Sequence, residues 1–408
     1  MKKILFAAFA AALAGVSMTS CSNDVEEVAI DRGPAVPNAI AFNAKQNSAL
    51  SGGTRGTAIA GTNYLNQTLV PNMQVWGFFS TTAVEGEGIA KGAQYVGEGG
   101  AGVIIDNKST ESPLVNLWEN HVPAEIAYWP TQPLNFYAVI PATDASFTVA
   151  SASSLHSLGH IVADVTVPTA VANQKDILFA QAQNEGGRTG ADNHPVGFVF
   201  DHALSQVVFS GKLASENLTA EIESITIANV DQKGKVGFLT DDDANTVILG
   251  SQIDASHTVA KFAAGLVADA TLDGAANVSV AKNLTATDGA LMMLPQSRTA
   301  EKWDPMAGGI NKPITGADAA KQTYLAISCK IKNGAAYVMG TASSYATVYI
   351  PFEIDWVQGK KYTYTLEFGT GAGGFDENGD PISSMLPITY TVTSVTDWDE
   401  VDGGTIQF

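Results

Sequence analysis

Short apolar runs, separated by turn-forming residues, dominate the chain. Runs such as MQVWGFFST, LNFYAVIPA, HIVADVTVP and KKYTYTLEFG are rich in Val, Ile, Phe, Tyr and Thr. Within them apolar side chains recur at every second position, as Tyr362, Tyr364, Leu366 and Phe368 do. This is the period of a β-strand with one buried face. No long amphipathic helix interrupts the series, so the pattern predicts an all-β protein built of antiparallel β-sandwiches.

A long polar, glycine-rich stretch predicts where the chain divides. AQNEGGRTGADNHPVG, residues 182–197, separates two halves of similar length. We therefore expect an N-terminal sandwich domain at 56–190 and a C-terminal one at 191–408. A second glycine-rich loop, FGTGAGGFDENGDPISSM, joins the last two strong strands.

The first residues have the form of an export signal. Lys2 and Lys3 precede the apolar run ILFAAFAAALAGV, which is short for a membrane-spanning helix. The run ends in SMTSC, which resembles a lipoprotein box, and this predicts a signal peptide at 1–21 with lipid on Cys21. Plain secretion with a free Cys21 is the alternative. The acidic residues that follow predict a tether, or propeptide, at 22–55.

Composition and net charge limit the classes of molecule that the protein is expected to bind. The chain has 408 residues, of which 45% are hydrophobic and 15% charged, as in ordinary globular proteins. Its formal net charge is −19. An acidic surface disfavours binding to nucleic acid or anionic lipid through bulk electrostatics.

Candidate chemistry is sparse, and each candidate has a structural explanation. His156 and His160 are four residues apart but have no third ligand nearby, and DENGD at 376–380 lacks the ligand pattern of a calcium loop. DDDAN at 241–245 and DENGD both predict turns, and His202 in an apolar run predicts a core or edge histidine. Nucleophile elbows and phosphate-binding glycine loops are missing. We expect no enzyme activity, no cofactor and no metal.

The chain has one cysteine besides Cys21. Cys329 lies in the strand-like run YLAISCKIKNG, without a base nearby. If Cys21 carries lipid, Cys329 has no partner within the chain, and we expect a buried, inert thiol.

Several motifs follow one another in a specific order. AEIAYWPTQPLNFYAVIPA (124–142), QKDILFAQA (174–182) and VGFVFDHALSQVVFSGKL (196–213) precede a C-terminal VQGKKYTYTLEFG and ITYTVTSVTDWDE. In this order, behind a lipoprotein-like signal, they resemble the fimbrillin family of Gram-negative gut and oral anaerobes.

The resemblance implies a fold and a route of export, processing and assembly. It implies two transthyretin-like β-sandwich domains and a role as a subunit of type V pili, or as their tip or anchor protein. It further implies export as a lipoprotein to the outer membrane. An Arg-specific protease then removes the lipidated N-terminal piece together with the first strand, and the trimmed subunits polymerise by strand exchange.

Arg55 is a candidate cleavage point for such a protease. It lies in SGGTRGTAIAG, an accessible Gly/Thr linker, and the chain has only four arginines. A cut there would remove AIAFNA, whose Ile40 and Phe42 would fill a groove in the sandwich. The alternatives are a cut after Arg32, which frees the lipid but leaves the strand, and a chance placement of Arg55.

The C-terminal VTSVTDWDEVDGGTIQF is a candidate donor strand. Trp398, Ile406 and Phe408 share one face of an extended chain, so they could fill pockets along a groove. Gly403 and Gly404 could instead bend the segment. The alternative is that this is the last strand of its own domain.

Together these features predict a structural pilus subunit at the cell surface, in the outer membrane before cleavage and in the fimbrium afterwards. Its partners would be copies of itself or related pilins, and the Arg-specific protease. The alternatives are a monomeric outer-membrane lipoprotein that binds glycan or host protein, and a tip or anchor pilin.

The lipid prediction is tested by Cys21→Ala. We expect this variant to lose palmitate labelling and retention in the membrane fraction, because Cys21 is the acylation point at the signal boundary. Labelling of the variant equal to that of the unaltered protein would overturn the lipoprotein assignment.

Overall fold

The computed structural model describes residues 30–31, 38–46, 66–67, 70–80, 92–97, 101–111, 114–142, 147–153, 160–186, 194–240, 247–253, 258–298, 323–369 and 388–397. Within these ranges the helices are the four-residue α1 (Gly274–Asn277) and two 3₁₀ turns, Pro123–Glu125 and Val171–Asn173. None of the described helices is long and apolar enough to cross a membrane. The predicted all-β class is confirmed.

The strands are, in chain order, β1 (Ile30–Asp31), β2 (Phe42–Gln46), β3 (Asn72–Phe79), β4 (Gln94–Val96), β5 (Val103–Asn107), β6 (Thr110–Glu111), β7 (Leu114–Asn116), β8 (Trp118–Asn120), β9 (Leu134–Ile140), β10 (Phe147–Ser153), β11 (His160–Thr166), β12 (Leu178–Glu185), β13 (Val196–His202), β14 (Ser205–Leu213), β15 (Leu218–Asp231), β16 (Lys233–Thr240), β17 (Val247–Ile253), β18 (Val259–Ala263), β19 (Thr271–Asp273), β20 (Lys282–Asn283), β21 (Leu291–Met293), β22 (Gln296–Arg298), β23 (Tyr324–Asn333), β24 (Ala336–Met339), β25 (Ala346–Pro351), β26 (Ile354–Trp356), β27 (Lys360–Phe368) and β28 (Thr389–Asp397).

The largest sheet has eight strands, in the order β2-β13-β12-β9-β3-β5-β8, with β4 also paired to β3. Every pair in it is antiparallel except β2 with β13, which are parallel. β2 and β8, the two ends of the order, also contact each other. The sheet therefore curls until its ends meet, and it encloses an apolar cluster to which β9, buried along its whole length, contributes.

The later strands form two facing layers. One is β20-β14-β27-β28, with β21 also on β14, and the other is β18-β15-β23-β24, with β19 on β15 and β25 on β23. The alternating burial of β14 and β23 directs one face of each strand into a shared core, as the period-two pattern requires. Two smaller sheets are the pair β22-β26 and the three-stranded β1-β7-β6.

Strand pairing joins the two predicted halves of the chain. The sheet β10-β11-β16-β17 takes two strands from before residue 190 and two from after it, and β13 pairs with β12 across residues 187–193. Phe238 of β16 packs against Tyr137 and Phe179, with ring centroids 5.2 and 5.9 Å apart. The division into 56–190 and 191–408 stays a prediction, and the two halves share one continuous core.

Two candidates from the sequence have structural roles. His202 is buried, and its Nδ1 lies 3.0 Å from Asp176 Oδ1, so it is a partnered core histidine. Cys329 is buried, and its Sγ lies 3.6 Å from Met339 Sδ. Burial raises the pKa of the Cys329 thiol to about 12. His156 and the acidic segments 241–245 and 376–380 lie outside the described residues.

Thiol labelling tests the burial of Cys329. In a Cys21→Ala protein, Cys329 is the sole cysteine. We expect it to react with iodoacetamide at pH 8 about 10³-fold more slowly than an exposed thiol, because only the thiolate is nucleophilic. Denaturant should restore the ordinary rate.

The matched control moves the thiol by one residue, to the opposite face of β23. A Cys329→Ala variant that also carries Ser328→Cys presents a partly exposed thiol, and it should label quickly in the folded protein. Rapid labelling of Cys329 in folded protein would contradict the described core.

Candidate functional site: the groove of the first strand

Residues 39–46, called the first strand from here on, lie at one end of the largest sheet. Their β2 portion runs parallel to β13, with Phe42 opposite Val196 and Gln46 opposite Phe200. The pairing begins one residue earlier, where the Val196 N–H donates to the carbonyl oxygen of Ala41 at 2.8 Å. One edge of the first strand is therefore paired with β13.

The opposite edge of the first strand is also paired. The Ile40 N–H donates to the Ala127 carbonyl at 2.9 Å, and Ala39 forms an antiparallel bridge with Tyr128. Further along, Asn116 Nδ2 donates to the Ala44 carbonyl at 2.9 Å. Because both of its edges have hydrogen-bond partners, the first strand closes this end of the sheet and is not a free edge strand.

The side chains of the first strand complete the core beneath it. Ile40, Phe42 and Ala44 are all buried in the cluster that the largest sheet encloses. The Phe42 ring stacks on Phe198 at 5.7 Å and meets the edge of Phe136 at 5.4 Å. Truncating a phenylalanine buried in this way costs about 3–5 kcal/mol. We define the groove as the Phe136 and Phe198 rings together with the β13 and 127–129 backbone that flank the strand.

Asn43 is the polar member of the first strand. Only 3% of its surface is exposed, and its Oδ1 has no hydrogen-bond partner among the described residues. It lies opposite Gly197, where a Cβ would stand 3.3 Å from Asn43 Oδ1. The missing glycine side chain thus leaves the space that the Asn43 carboxamide occupies.

The C-terminal strand β28 lies at the edge of its sheet, paired on one side with β27. Val392 and Val395 are opposite Tyr364 and Tyr362, so they share the inward face with these buried rings. Even so, Val392 is 48% and Val395 51% exposed. Tyr390 is the inward residue of β28 that packs closely, with its ring 5.0 Å from that of Phe352. Tyr390 therefore anchors β28 more firmly than Val392 and Val395 do.

The predicted site residues fall in two groups. The structure places Ile40 and Phe42 in the groove. Cys21, Arg32, Arg55, Trp398, Ile406 and Phe408 lie outside the described residues.

Of the four arginines in the chain, Arg298 is the one that lies among the described residues. It lies in β22, donates to the Asn229 carbonyl and stands 3.7 Å from Asp231. The Arg298 backbone is paired with Ile354 of β26, and a backbone held in a strand is a poorer protease substrate than an exposed linker.

Sequence reasoning missed the second flank of the groove. The backbone at 127–129 and the Asn116 side chain hold the first strand, yet neither belongs to a long apolar run. The one available signal was the Tyr128-Trp129-Pro130 motif, which marks a non-strand segment inside an otherwise β-rich region.

Comparison with solved structures finds similar chains from Bacteroides species. A fimbrial protein from Bacteroides vulgatus is 14% identical, with 88% of this chain and 99% of that chain covered and a TM-score of 0.47. Candidate cell adhesion proteins from Bacteroides uniformis and Bacteroides ovatus are 13% and 15% identical. They cover 88% and 90% of this chain and 99% of their own, each with a TM-score of 0.43.

No curated protein sequence matches the chain. The sequence pattern of the fimbrillin-like family, in contrast, matches residues 83–398, well over half of the chain. This match includes the aromatic β9 segment, the β13 strand of the groove and the C-terminal β28. The protein therefore belongs to the fimbrillin-like family.

Proposed function

We propose that this protein is a structural subunit of a surface pilus that polymerises by exchanging its first strand for a strand of a neighbouring subunit. The observation that carries the proposal is the place of the first strand, which closes the sheet and supplies Phe42 to the core. Family membership supports a pilus-type subunit at the cell surface, with a structural and not a catalytic role.

The first step is a change in effective concentration. While residues 22–55 remain attached, the first strand is held beside its groove, and any opening is followed by rapid return. A cut after Arg55 separates the strand from the body of the protein. The strand is then retained only by its hydrogen bonds and its packing, and once it leaves it is diluted away.

The second step exposes the groove. Loss of the first strand would uncover the Phe136 and Phe198 rings and leave the backbone groups of β13 and 127–129 unpaired. An exposed apolar trough beside a free sheet edge favours the addition of another strand. Because the same groups are covered before cleavage, assembly would wait for the protease at the cell surface.

The third step uses the C-terminus as donor. We propose that residues 398–408, with Trp398, Ile406 and Phe408 on one face, enter the groove of the next subunit. The weakly covered end of β28 supports this role, because Val392 and Val395 contribute little burial that would hold the segment in place. Cys21 would anchor the precursor in the outer membrane until the cut.

Arg55→Ala tests the first step. We expect the variant to stay a folded monomer after treatment with an Arg-specific protease, because the first strand still fills the groove. Arg32→Ala is the matched control, and it should polymerise like the unaltered protein. Both are made in an Arg188→Ala background, which removes the arginine of the 182–197 segment. Chains that stay monomeric after a cut at Arg55, verified by mass spectrometry, would rule out strand exchange and favour a monomeric binding lipoprotein.

Removal of residues 398–408 tests the third step. The cleaved truncated subunit should not polymerise alone, since its groove is open and it has no donor. Mixed with cleaved full-length subunits, it should shorten the chains seen by electron microscopy, because it can accept a donor and then end the chain. Its unfolding midpoint after cleavage should fall below that of the uncut form, as apolar surface stays in water. Chains of unchanged length at an equimolar ratio would exclude this segment as the donor.

A further inference from the structure

Asn43 stands apart from the other buried amides near the groove. Asn107 donates through Nδ2 to the Val70 carbonyl and accepts from the Ser109 N–H. Asn116 donates to the Ala44 carbonyl and accepts from the Trp118 indole. Asn43 is equally buried, but its Oδ1 has no such partner in the part of the chain that the structure describes.

An unpaired buried oxygen weakens the hold of the first strand on its groove. When the strand is free, water satisfies the Asn43 carboxamide, and when the strand is seated no described protein group takes the place of that water at the oxygen. Such a loss lowers a binding constant by about tenfold to a hundredfold. Replacing the group by an apolar one of fitting size removes the penalty.

Asn43 is covered where it faces β13. Gly197 lies opposite it, and a Cβ there would come within 3.3 Å of Asn43 Oδ1. A smaller apolar side chain at residue 43 would therefore fit the same space without burying an unpaired oxygen.

We propose that Asn43 weakens the hold of the first strand on its groove, so that the strand leaves readily after cleavage and frees the groove for a donor strand. This inference rests on the proposed function and adds the step that opens the groove, because a strand that buries an unpaired oxygen is released more readily than one that does not. While the strand is tethered, high effective concentration hides the weakness. After the cut the weakness sets how fast the strand leaves.

Strand release is measured directly to test this role. Asn43→Ala and Asn43→Asp are made in the full chain lacking the signal peptide, in an Arg32→Ala and Arg188→Ala background that keeps an N-terminal fluorophore attached to the first strand, and each protein is cut by an Arg-specific protease. Fluorescence anisotropy follows loss of the first strand, and light scattering follows assembly. We expect release about tenfold slower for Asn43→Ala and faster for Asn43→Asp, which buries a charge in the same space.

Two controls separate folding from strand hold. Asn38→Gly removes an exposed carboxamide just before the strand, at a residue whose φ of 64° glycine accepts, and should leave release unchanged. The uncut Asn43→Ala protein should unfold at a higher temperature than the unaltered one. A lower unfolding temperature, or release from Asn43→Ala as fast as from the unaltered protein, would overturn the role of Asn43.

The outcomes keep this inference distinct from the proposed function. If the cut protein polymerises normally but release of the first strand does not depend on residue 43, the inference about Asn43 is wrong and the proposed strand exchange is unaffected. Release that is slowed by Asn43→Ala in chains that never polymerise would support the weak-strand role and sink the proposed function.

Discussion

Backbone hydrogen bonding at the ends of a sheet is the constraint on which the rest of this molecule depends. A sheet whose ends approach each other must either leave two open edges or find one strand that pairs with both. Here the first strand is an end strand that pairs with β13 on one side, and its other edge is bonded by the 127–129 backbone and the Asn116 side chain. The same strand delivers Phe42 to the centre of the cluster beneath it. Closure of the sheet and completion of the core are therefore one event.

Much of this could be predicted from local pattern, because local pattern decides which face of a strand is buried. Alternation places Ile40 and Phe42 inward, and the structure agrees. Pattern cannot fix which strands become neighbours. The parallel pairing of β2 with β13 joins residues far apart in sequence, and nothing in either run distinguishes a parallel partner from an antiparallel one. The flank at 127–129 is irregular backbone, for which period-two analysis has no signal.

Asn43 shows the limit of residue-type reasoning. In sequence it falls on the polar phase of an alternating run, which predicts contact with water. In the structure the Asn43 side chain is buried, and its carboxamide oxygen has no partner among the described residues. Whether the outward face of a strand contacts water depends on which other segments of the chain pack over it, and the alternation within the strand does not specify those segments. Val392 shows the opposite case, since it lies on the apolar phase and yet is exposed.

The aromatic contact between the chain halves also has a mechanical meaning. Phe238, from the second half, packs against Tyr137 and Phe179 of the first, and the four-stranded sheet β10-β11-β16-β17 also takes strands from both halves. Bending one half against the other would therefore have to separate these rings and break the hydrogen bonds between the shared strands at the same time. Under tension the subunit would then act as one stiff link, and compliance in a fibre built from it would be concentrated at the joints between subunits.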